Sequence, residues 1–249
     1  MTDETQQSHS GLAALRGEPS YVWRAGQERR LQMMAAHSKL DNACVLVAGC
    51  GVGMYAAQLR TRYTPDVEAF DIEADRVREA RENTPHALVA AAETIPYKSN
   101  SFDTILSHEV IEHVNNDHMA AQEMIRVLKP GGRLVMFAPN RWYPFETHGH
   151  YWKGEYHFGN TPLINYLPNT WRNQLAPHVR AYTKSGIRGL FDDTPVKFVH
   201  HSRIYGGYDN IIARLGNPAK IGRDMLYTLE NTPFDTWGLS HFLVIEKTG

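Results

Sequence analysis

Three glycines at alternate positions are the first residues whose spacing indicates a ligand site. Gly49, Gly51 and Gly53 directly follow a short apolar run that is typical of a buried strand. Glycine lets the backbone turn sharply, and its missing Cβ lets a ligand approach the main chain closely. A dinucleotide fingerprint needs a small residue where Met54 stands, and no other glycine completes G-x-G-x-x-G. The spacing therefore favours a ligand at this turn and weakens the case for a pyrophosphate.

An acidic residue stands where a second contact to such a ligand is expected. Asp71 closes the apolar segment 67–71 and lies 18 residues beyond Gly53. An acid at the end of the second strand of such a unit accepts hydrogen bonds from ribose hydroxyls. Together the two features indicate a nucleoside ligand, with a tight turn beside a solvated carboxylate as the alternative.

The spacing of the histidines and the positions of the cysteines indicate neither a metal site nor a reactive thiolate. His108 and His113 are five residues apart, whereas the helical zinc motif places its two histidines four apart. Cys44 lies in the first apolar run and Cys50 in the glycine turn, so both are interpreted as small packing residues. We therefore predict no metal site.

Alternating strands and helices must position these residues. Such alternation argues for a parallel sheet covered by helices on both faces, and we predict a Rossmann-like α/β core over residues 43–140. In that core Pro130-Gly131-Gly132 is expected to end the last helix before the fifth strand. The predicted strands are 43–48, 67–71, 87–91, 103–107 and 133–138, and the predicted helices are 20–40, 55–62, 73–83 and 117–128.

The second half of the chain begins with a segment, residues 139–169, that shows neither helical nor strand periodicity and is rich in aromatic residues. Residues 141–195 and 201–240 are predicted to form an aromatic cap with helices, one of them at 169–191. Residues 196–200 and 241–247 are predicted to return to the sheet as its last two strands, and residues 1–42 to be a tail and a covering helix. The aromatic residues of segment 139–169, where the cap begins, are Trp142, Tyr143, Phe145, Tyr151, Trp152, Tyr156, Phe158 and Tyr166.

Composition excludes several other classes of protein. The chain carries 26 basic and 27 acidic residues, so no global charge attracts it to a phosphate backbone. The longest uncharged run, residues 43–59, is interrupted by glycines, and the first ten residues lack the apolar core of a signal peptide. We predict a cytoplasmic protein with no nucleic-acid partner and no integral membrane segment. The oligomeric state stays open.

Four segments together resemble the class I S-adenosylmethionine-dependent methyltransferases of the small-molecule group. They occur in the order and at the spacing of that family, and they cover residues 43–140. The resemblance implies a seven-stranded, mostly parallel sheet whose last strand is antiparallel, and it implies S-adenosyl-L-methionine as the cofactor. The segments are VLVAGCGVG (45–53), FDIE (70–73), AAAETIPYKSNSFDTILSHEVIEHV (90–114) and RVLKPGGRLVMFAPN (126–140).

The resemblance assigns cofactor contacts to individual residues. It places Gly49, Gly51 and Gly53 against the methionine and ribose portion and Asp71 on the ribose hydroxyls. Ile72 is expected to pack on the adenine. The remaining assignments are Ala92 and Glu93 at the adenine edge and Ser107 beside the methionine moiety.

Two departures from the family and one upstream segment bear on cofactor affinity. The family commonly has an acid at the position of Val47 and an aspartate at that of Ala91, so these contacts are expected to weaken or to pass to backbone and water. Relatives often fold an upstream segment over the cofactor, and Tyr21 and Arg24 are candidates for that role. Arg24 would pair with the methionine carboxylate, or else belong to a solvated surface helix.

The implied activity is methyl transfer to a small or lipid-like acceptor, most simply to a hydroxyl. A hydroxyl needs a base if it keeps its proton until attack, and histidine suits that task near neutral pH. His113 follows strand four, where the family faces its acceptor, and His148 and His150 follow strand five. Each is predicted as a candidate base, against a structural alternative. A nicotinamide-dependent oxidoreductase and a catalytically silent cofactor-binding relative are the competing hypotheses.

Overall fold

A computed structural model describes residues 21–249 of the chain. The polar segment 1–10 and the predicted first residue of the upstream helix, Ser20, lie outside the described residues. The elements of the core are, in chain order, α1 Ala25–His37, β1 Val45–Ala48, α2 Met54–Arg62, β2 Val67–Asp71, α3 Ala74–Ala80, β3 Ala87–Val89, β4 Phe102–His108, α4 Asp117–Val127 and β5 Leu128–Pro139.

The cap and the last two strands follow. The cap has two small hairpin-like pairs: β6 pairs with β9, and β7 pairs with β8. Two short helical turns at Ile164–Tyr166 and Pro233–Trp237 are of the 3₁₀ type. The elements are β6 Phe145–Glu146, β7 His150–Trp152, β8 Glu155–His157, β9 Thr161–Pro162, α5 Asn169–Leu175, α6 Lys184–Gly189, β10 Val196–Ile204, α7 Asp209–Leu215, α8 Asn217–Thr228 and β11 Ser240–Lys247.

Seven strands form one sheet in the order β10-β11-β5-β4-β1-β2-β3. The pairs among β1 to β5 are parallel, and β11 runs antiparallel to both β5 and β10. The predicted seven-stranded, mostly parallel sheet with an antiparallel last strand is therefore confirmed. The order reverses between β1 and β4, which is where a ligand crevice forms in open α/β sheets.

The two faces of the sheet are buried under separate helices. Leu46 and Ala48 of β1 pack with α4 and α6, whereas Val45 and Val47 pack with α1, α2 and α3. Strand side chains alternate between faces, so a strand that is apolar at every position must be covered on both sides. This burial holds the carboxyl ends of the central strands in fixed positions.

Two sequence predictions about element boundaries were wrong. Pro130-Gly131-Gly132 does not separate helix from strand: α4 ends at Val127 and β5 already begins at Leu128, with an irregularity in its pairing to β4. The predicted helix 169–191 is two helices, α5 and α6, joined by an irregular segment, 176–183. Pro177 explains the break, because proline lacks the N–H that continues a helix.

A buried ion pair holds the cap together. Arg172 of α5 donates to the Glu146 carboxylate at 2.8 Å, and each side chain is at most 3% exposed. Arg172 also donates to the Val179 carbonyl, so α5, β6 and the segment 176–183 meet at one guanidinium. Both charges are out of water, and each depends on the other for compensation.

We expect Arg172→Ala to lower the free energy of unfolding by about 3–5 kcal/mol, because it leaves the Glu146 carboxylate buried without its guanidinium. Urea denaturation measures this loss. Arg78→Ala is the control: its ion pair with Asp75 is largely solvated, and its removal should cost less than about 1 kcal/mol. Similar losses in the two variants would contradict the buried role of Arg172.

Candidate functional site

A cavity of about 1070 Å³ opens at the carboxyl ends of β1, β2 and β4. Its core wall is formed by the turn after β1, by the end of β2 and by the residues that follow β3 and β4. Its opposite wall belongs to the cap and includes Thr147, His148, Phe158, Asn173 and residues 176–180. Ligand pockets usually measure about 300–1,000 Å³, so this one has room for two small molecules side by side.

The glycine turn forms one end of the core wall, and its glycines have different tasks. All three have positive φ values, +65° at Gly49, +53° at Gly51 and +83° at Gly53. A Cβ at Gly51 would point into open space, whereas one at Gly49 would lie 2.3 Å from a Val110 methyl group. Gly49 and Gly51 line the cavity. Gly53 does not; it begins α2 and packs closely against Ala80.

Asp71 is fixed beside this turn by backbone donors. The amide of Gly51 donates to Asp71 Oδ2 at 2.8 Å, and the amide of Glu73 donates to Oδ1 at 3.0 Å. The side chain is buried but lines the cavity, next to the half-exposed Ile72. The carboxylate is thus oriented toward the ligand space by the same backbone that forms the turn.

The wall beyond β3 contains the next two predicted residues. Ala92 and Glu93 both line the cavity. Glu93 Oε1 accepts hydrogen bonds from the amides of Asn115 and Asn116, at 2.7 and 3.1 Å, and so ties this wall to the segment after β4. Val47, where the family commonly has an acid, lines the cavity with an apolar side chain, whereas Ala91 does not line it.

Besides Gly53, three predicted cofactor residues are not part of this lining. Tyr21 and Arg24 are exposed at the start of α1. Gln27, one turn further along the same helix, lines the cavity and accepts a hydrogen bond from the Arg24 amide at 2.9 Å. Ser107 is fully buried, and its neighbour His108 lines the cavity instead.

His108 is a half-buried ring at the end of β4, with its Nε2 atom out of contact with solvent. Burial lowers its pKa to about 3, and the Arg30 guanidinium adds to the effect. Its ring lies 4.9 Å from that of Tyr55, which also lines the cavity. Neither His108 Nε2 nor the Tyr55 hydroxyl has a hydrogen-bond partner among residues 21–249. Two buried polar atoms therefore face a space in which a ligand could satisfy them.

The cap end of the cavity brings together an acid and two histidines. Glu112 is buried, and its Oε1 lies 3.9 Å from His113 Nε2 and 4.0 Å from His148 Nε2. Burial raises the pKa of Glu112 well above its ordinary range, and the neighbouring Glu109 carboxylate adds to that rise. Burial also lowers the pKa of His113 to about 4. We call Glu112, His113 and His148 the Glu112 cluster.

The third histidine candidate lies elsewhere. His150 belongs to β7, where its ring stacks on that of His157 at 5.3 Å and its Nδ1 lies 3.0 Å from Thr161 Oγ1. It does not line the cavity. The structure therefore joins two of the three predicted bases with the glycine turn in one cavity.

Sequence reasoning missed several residues of the cavity. Glu112 stands beside His113 in the chain. The two acids that flank Val110-Ile111, so close to a candidate histidine, are the sequence signal that could have identified it. The segment 176–180 was hidden because it was predicted as helix. Arg180 of that segment donates to the carbonyls of Val114 and Asn115, so it fixes the cap wall against the core wall. Gln27, Tyr55 and Arg76 also line the cavity.

Comparison with known proteins decides between the hypotheses about the class of protein. Residues 46–136 match the family model of a methyltransferase domain. This part of the chain is a methyltransferase domain, on a fold that it shares with solved S-adenosylmethionine-dependent methyltransferases. The predicted fold, family and cofactor are thereby confirmed, and the nicotinamide-dependent alternative loses its support.

Similar proteins share this domain with the chain over part of their length. Methyltransferase GfsG of Streptomyces halstedii is 36% identical over 115 residues, which are 43% of this chain and 39% of that protein. The ubiquinone biosynthesis O-methyltransferase of Xanthomonas oryzae pv. oryzae is 29% identical over 119 residues, 45% of this chain and 49% of the relative. The chain thus spans two fifths to one half of these relatives.

A solved structure extends the likeness in fold to the cap. The S-adenosylmethionine-dependent methyltransferase from Mesorhizobium loti superimposes with a TM-score of 0.63, at 15% identity, over 90% of this chain and 98% of that one. Fold alone is shared at this level of identity. Within residues 21–249, no helix has the length and apolar character that a membrane span requires.

Gly49→Ala should destabilise the protein more than Gly131→Ala does. Both positions have positive φ, so both substitutions cost roughly 1–2 kcal/mol of backbone strain. Only at Gly49 must the new methyl group displace Val110, which adds about 1–3 kcal/mol, whereas a Cβ at Gly131 meets no described atom within 4 Å. Thermal unfolding compares the two, and equal losses would contradict the close contact of Gly49 with Val110.

Proposed function

We propose that this protein transfers a methyl group from S-adenosylmethionine to a hydroxyl of a small, largely apolar or lipid-like acceptor. The observation that carries the proposal is the single cavity, which joins the glycine turn and Asp71 at one end with the Glu112 cluster at the other. A direct transfer between two bound molecules needs a cofactor side and an acceptor side within one continuous cavity.

The residues of the core wall fit an adenosyl ligand. Gly51 leaves open space beside the turn, and Asp71 is oriented at the cavity by two backbone amides. We assign the ribose hydroxyls to Asp71, the adenine to Ile72, Ala92 and Glu93, and the methionine portion to Gly49 and Gly51. Gln27 joins this set, because it lines the cavity where Arg24 was predicted to act; the roles of Tyr21, Arg24, Gly53 and Ser107 stay predictions.

Bound S-adenosylmethionine supplies a methyl group that its sulfonium already activates. The chain therefore has to hold the acceptor in line with that methyl group and keep water away. The cap wall does the second task, since Arg180 and residues 176–179 lie directly over the ends of the strands. Burial of both walls against each other supports a dry reaction space.

The lining of the acceptor side favours an apolar molecule with a polar group. Of the eight aromatic residues of segment 139–169, only Phe158 lines the cavity, so aromatic density is a weaker argument for a flat acceptor than it was in the sequence. The relative from Xanthomonas oryzae is named as an O-methyltransferase of ubiquinone biosynthesis, which accords with a hydroxyl acceptor. The apolar lining residues of this side are Val110, Val114, Phe158, Ala176, Pro177 and Val179.

The Glu112 cluster is the part of the cavity suited to handle the acceptor proton. Its two imidazoles face the same carboxylate and lie on the cavity wall, so an acceptor hydroxyl seated between the walls would contact them. We infer that His113 and His148 activate the hydroxyl, and that His150 has a smaller effect because it lies outside the cavity.

Asp71→Asn should weaken binding of S-adenosylhomocysteine at least tenfold in isothermal titration calorimetry, because a neutral amide cannot accept from both hydroxyls of a ribose while retaining both backbone contacts. Asp75→Asn is the matched control, since Asp75 is exposed on α3 and only pairs with Arg78. Unchanged affinity in Asp71→Asn would refute the assignment. No affinity in the unmodified protein would instead favour a catalytically silent relative.

Substitution of the cavity histidines should slow methyl transfer. His113→Gln and His148→Gln are each expected to reduce the single-turnover rate by about 10²–10⁴-fold, the usual contribution of general acid–base catalysis. Radiolabelled cofactor and a metabolite extract provide the assay. His118→Gln, exposed on α4, is the control, and His150→Gln tests the third candidate. Rates within a few-fold of the parent in both cavity variants would rule out a proton-handling role.

A further inference from the structure

The Glu112 cluster brings three possible metal-ligand atoms close together, and proton transfer does not require that arrangement. One atom from each of its three side chains lies within 4.8 Å of the other two. His113 follows β4, whereas His148 comes from the cap. The cluster therefore lies where the core wall and the cap wall meet. Both imidazoles present the same nitrogen, Nε2, to the same carboxylate oxygen of Glu112.

The Glu112 carboxylate lacks the neighbours that a buried acid normally has. Neither oxygen has a hydrogen-bond donor among residues 21–249, and no described arginine or lysine pairs with it. Its neighbours are the two imidazoles and the half-buried carboxyl of Glu109, with which it forms a hydrogen bond when one of the two acids is protonated. Buried charge is costly unless it is paired or coordinates a metal, and two adjacent acids increase that cost. A cation among these groups would compensate both acids.

The other ring nitrogens of the two histidines are already engaged. His148 Nδ1 lies 3.2 Å from Glu146 Oε1, and Glu146 is held in turn by Arg172. His113 Nδ1 lies 3.3 Å from the carbonyl oxygen of His178. Metal-binding histidines characteristically donate their second ring N–H to a carboxylate or a backbone carbonyl, which fixes the tautomer and the ring orientation. Both patterns are present here.

We propose that Glu112, His113 and His148 bind a divalent transition-metal ion, with Zn²⁺ as the best match. Two imidazoles and one carboxylate are a familiar set of protein ligands for zinc, and three ligands leave one coordination position open. Ligand atoms in a tetrahedral site lie about 3.4 Å apart. Glu112 Oε1 lies 3.9 and 4.0 Å from the two histidine nitrogens, and all three atoms lie within 4.8 Å of one another, so metal binding requires the cluster to contract by up to about 1.4 Å.

The open position of such a site faces the cavity, since all three ligands line it. A metal there would hold an acceptor hydroxyl and lower its pKa, as zinc does for bound water. With the metal bound, His113 and His148 would activate the hydroxyl as metal ligands and would not take its proton themselves. This use of the metal rests on the proposed function, whereas metal binding itself does not. The ligand set also differs from the His108–His113 pair considered in the sequence: His108 lies against Tyr55, and His148 takes its place in the cluster.

Cobalt substitution tests the site without any methyl transfer. The full chain, free of affinity tags and treated with a chelator, is titrated with Co²⁺ and followed by visible absorption. We expect one Co²⁺ per chain, with the intense bands of tetrahedral coordination, and competition by Zn²⁺. His148→Gln and Glu112→Gln should weaken Co²⁺ binding more than 100-fold, and Glu146→Gln, which orients His148, about 10–100-fold. His118→Gln should bind as the parent does.

Circular dichroism and calorimetry with S-adenosylhomocysteine, run on every variant, separate loss of a ligand from loss of the fold. Absence of stoichiometric Co²⁺ binding in the parent, or binding that is equal in parent and cluster variants, overturns the metal site. Either result leaves the methyltransferase proposal standing if S-adenosylhomocysteine still binds. Co²⁺ binding without affinity for S-adenosylhomocysteine would support the metal site and refute the proposed function.

Discussion

The site depends on one carboxylate held by two backbone amides. Asp71 ends β2 and accepts from Gly51, in the turn after β1, and from Glu73, at the start of α3. These hydrogen bonds tie the end of β2 to the turn after its neighbour β1, next to the point where the sheet order reverses. The turn adopts the positive φ at Gly51 that glycine tolerates without strain. The shape of the core wall of the cavity follows from this contact.

The geometry of the Glu112 cluster depends on how the cap is attached to the core. Tyr182 donates its hydroxyl to the Ile111 carbonyl, and Arg180 donates to the carbonyls of Val114 and Asn115. The segment after β4 is thus held by backbone acceptors rather than by its own secondary structure. The Arg172–Glu146 pair, deeper in the cap, orients His148 toward Glu112. Electrostatic pairs inside the cap therefore decide the geometry of a cluster that lies on the border between cap and core.

Much of the core could be predicted from local sequence patterns. Val67–Asp71 matches the predicted strand, and β1, β4 and α4 differ from prediction by one or two residues. Apolar runs and helical periodicity are local properties of the sequence, so they predict a strand or a helix without knowledge of the elements that pack against it. The cap was harder to predict because its segments take their structure from distant contacts. The residues around Pro177 lie within a helix-like pattern, but they bond to the core instead of to one another.

The sequence by itself determined the class of fold and the family of the domain, and it predicted where a nucleoside would bind, since the glycines, Asp71 and the strands around them lie within one stretch of chain. Only the tertiary structure decided which histidines share a site. His113 and His148 are 35 residues apart in the chain, and His150 follows His148 by two residues. His148 nevertheless lies in a turn that faces Glu112, whereas His150 lies in β7 and does not line the cavity. No periodicity encodes that choice, because it depends on the packing of the cap across the ends of the sheet.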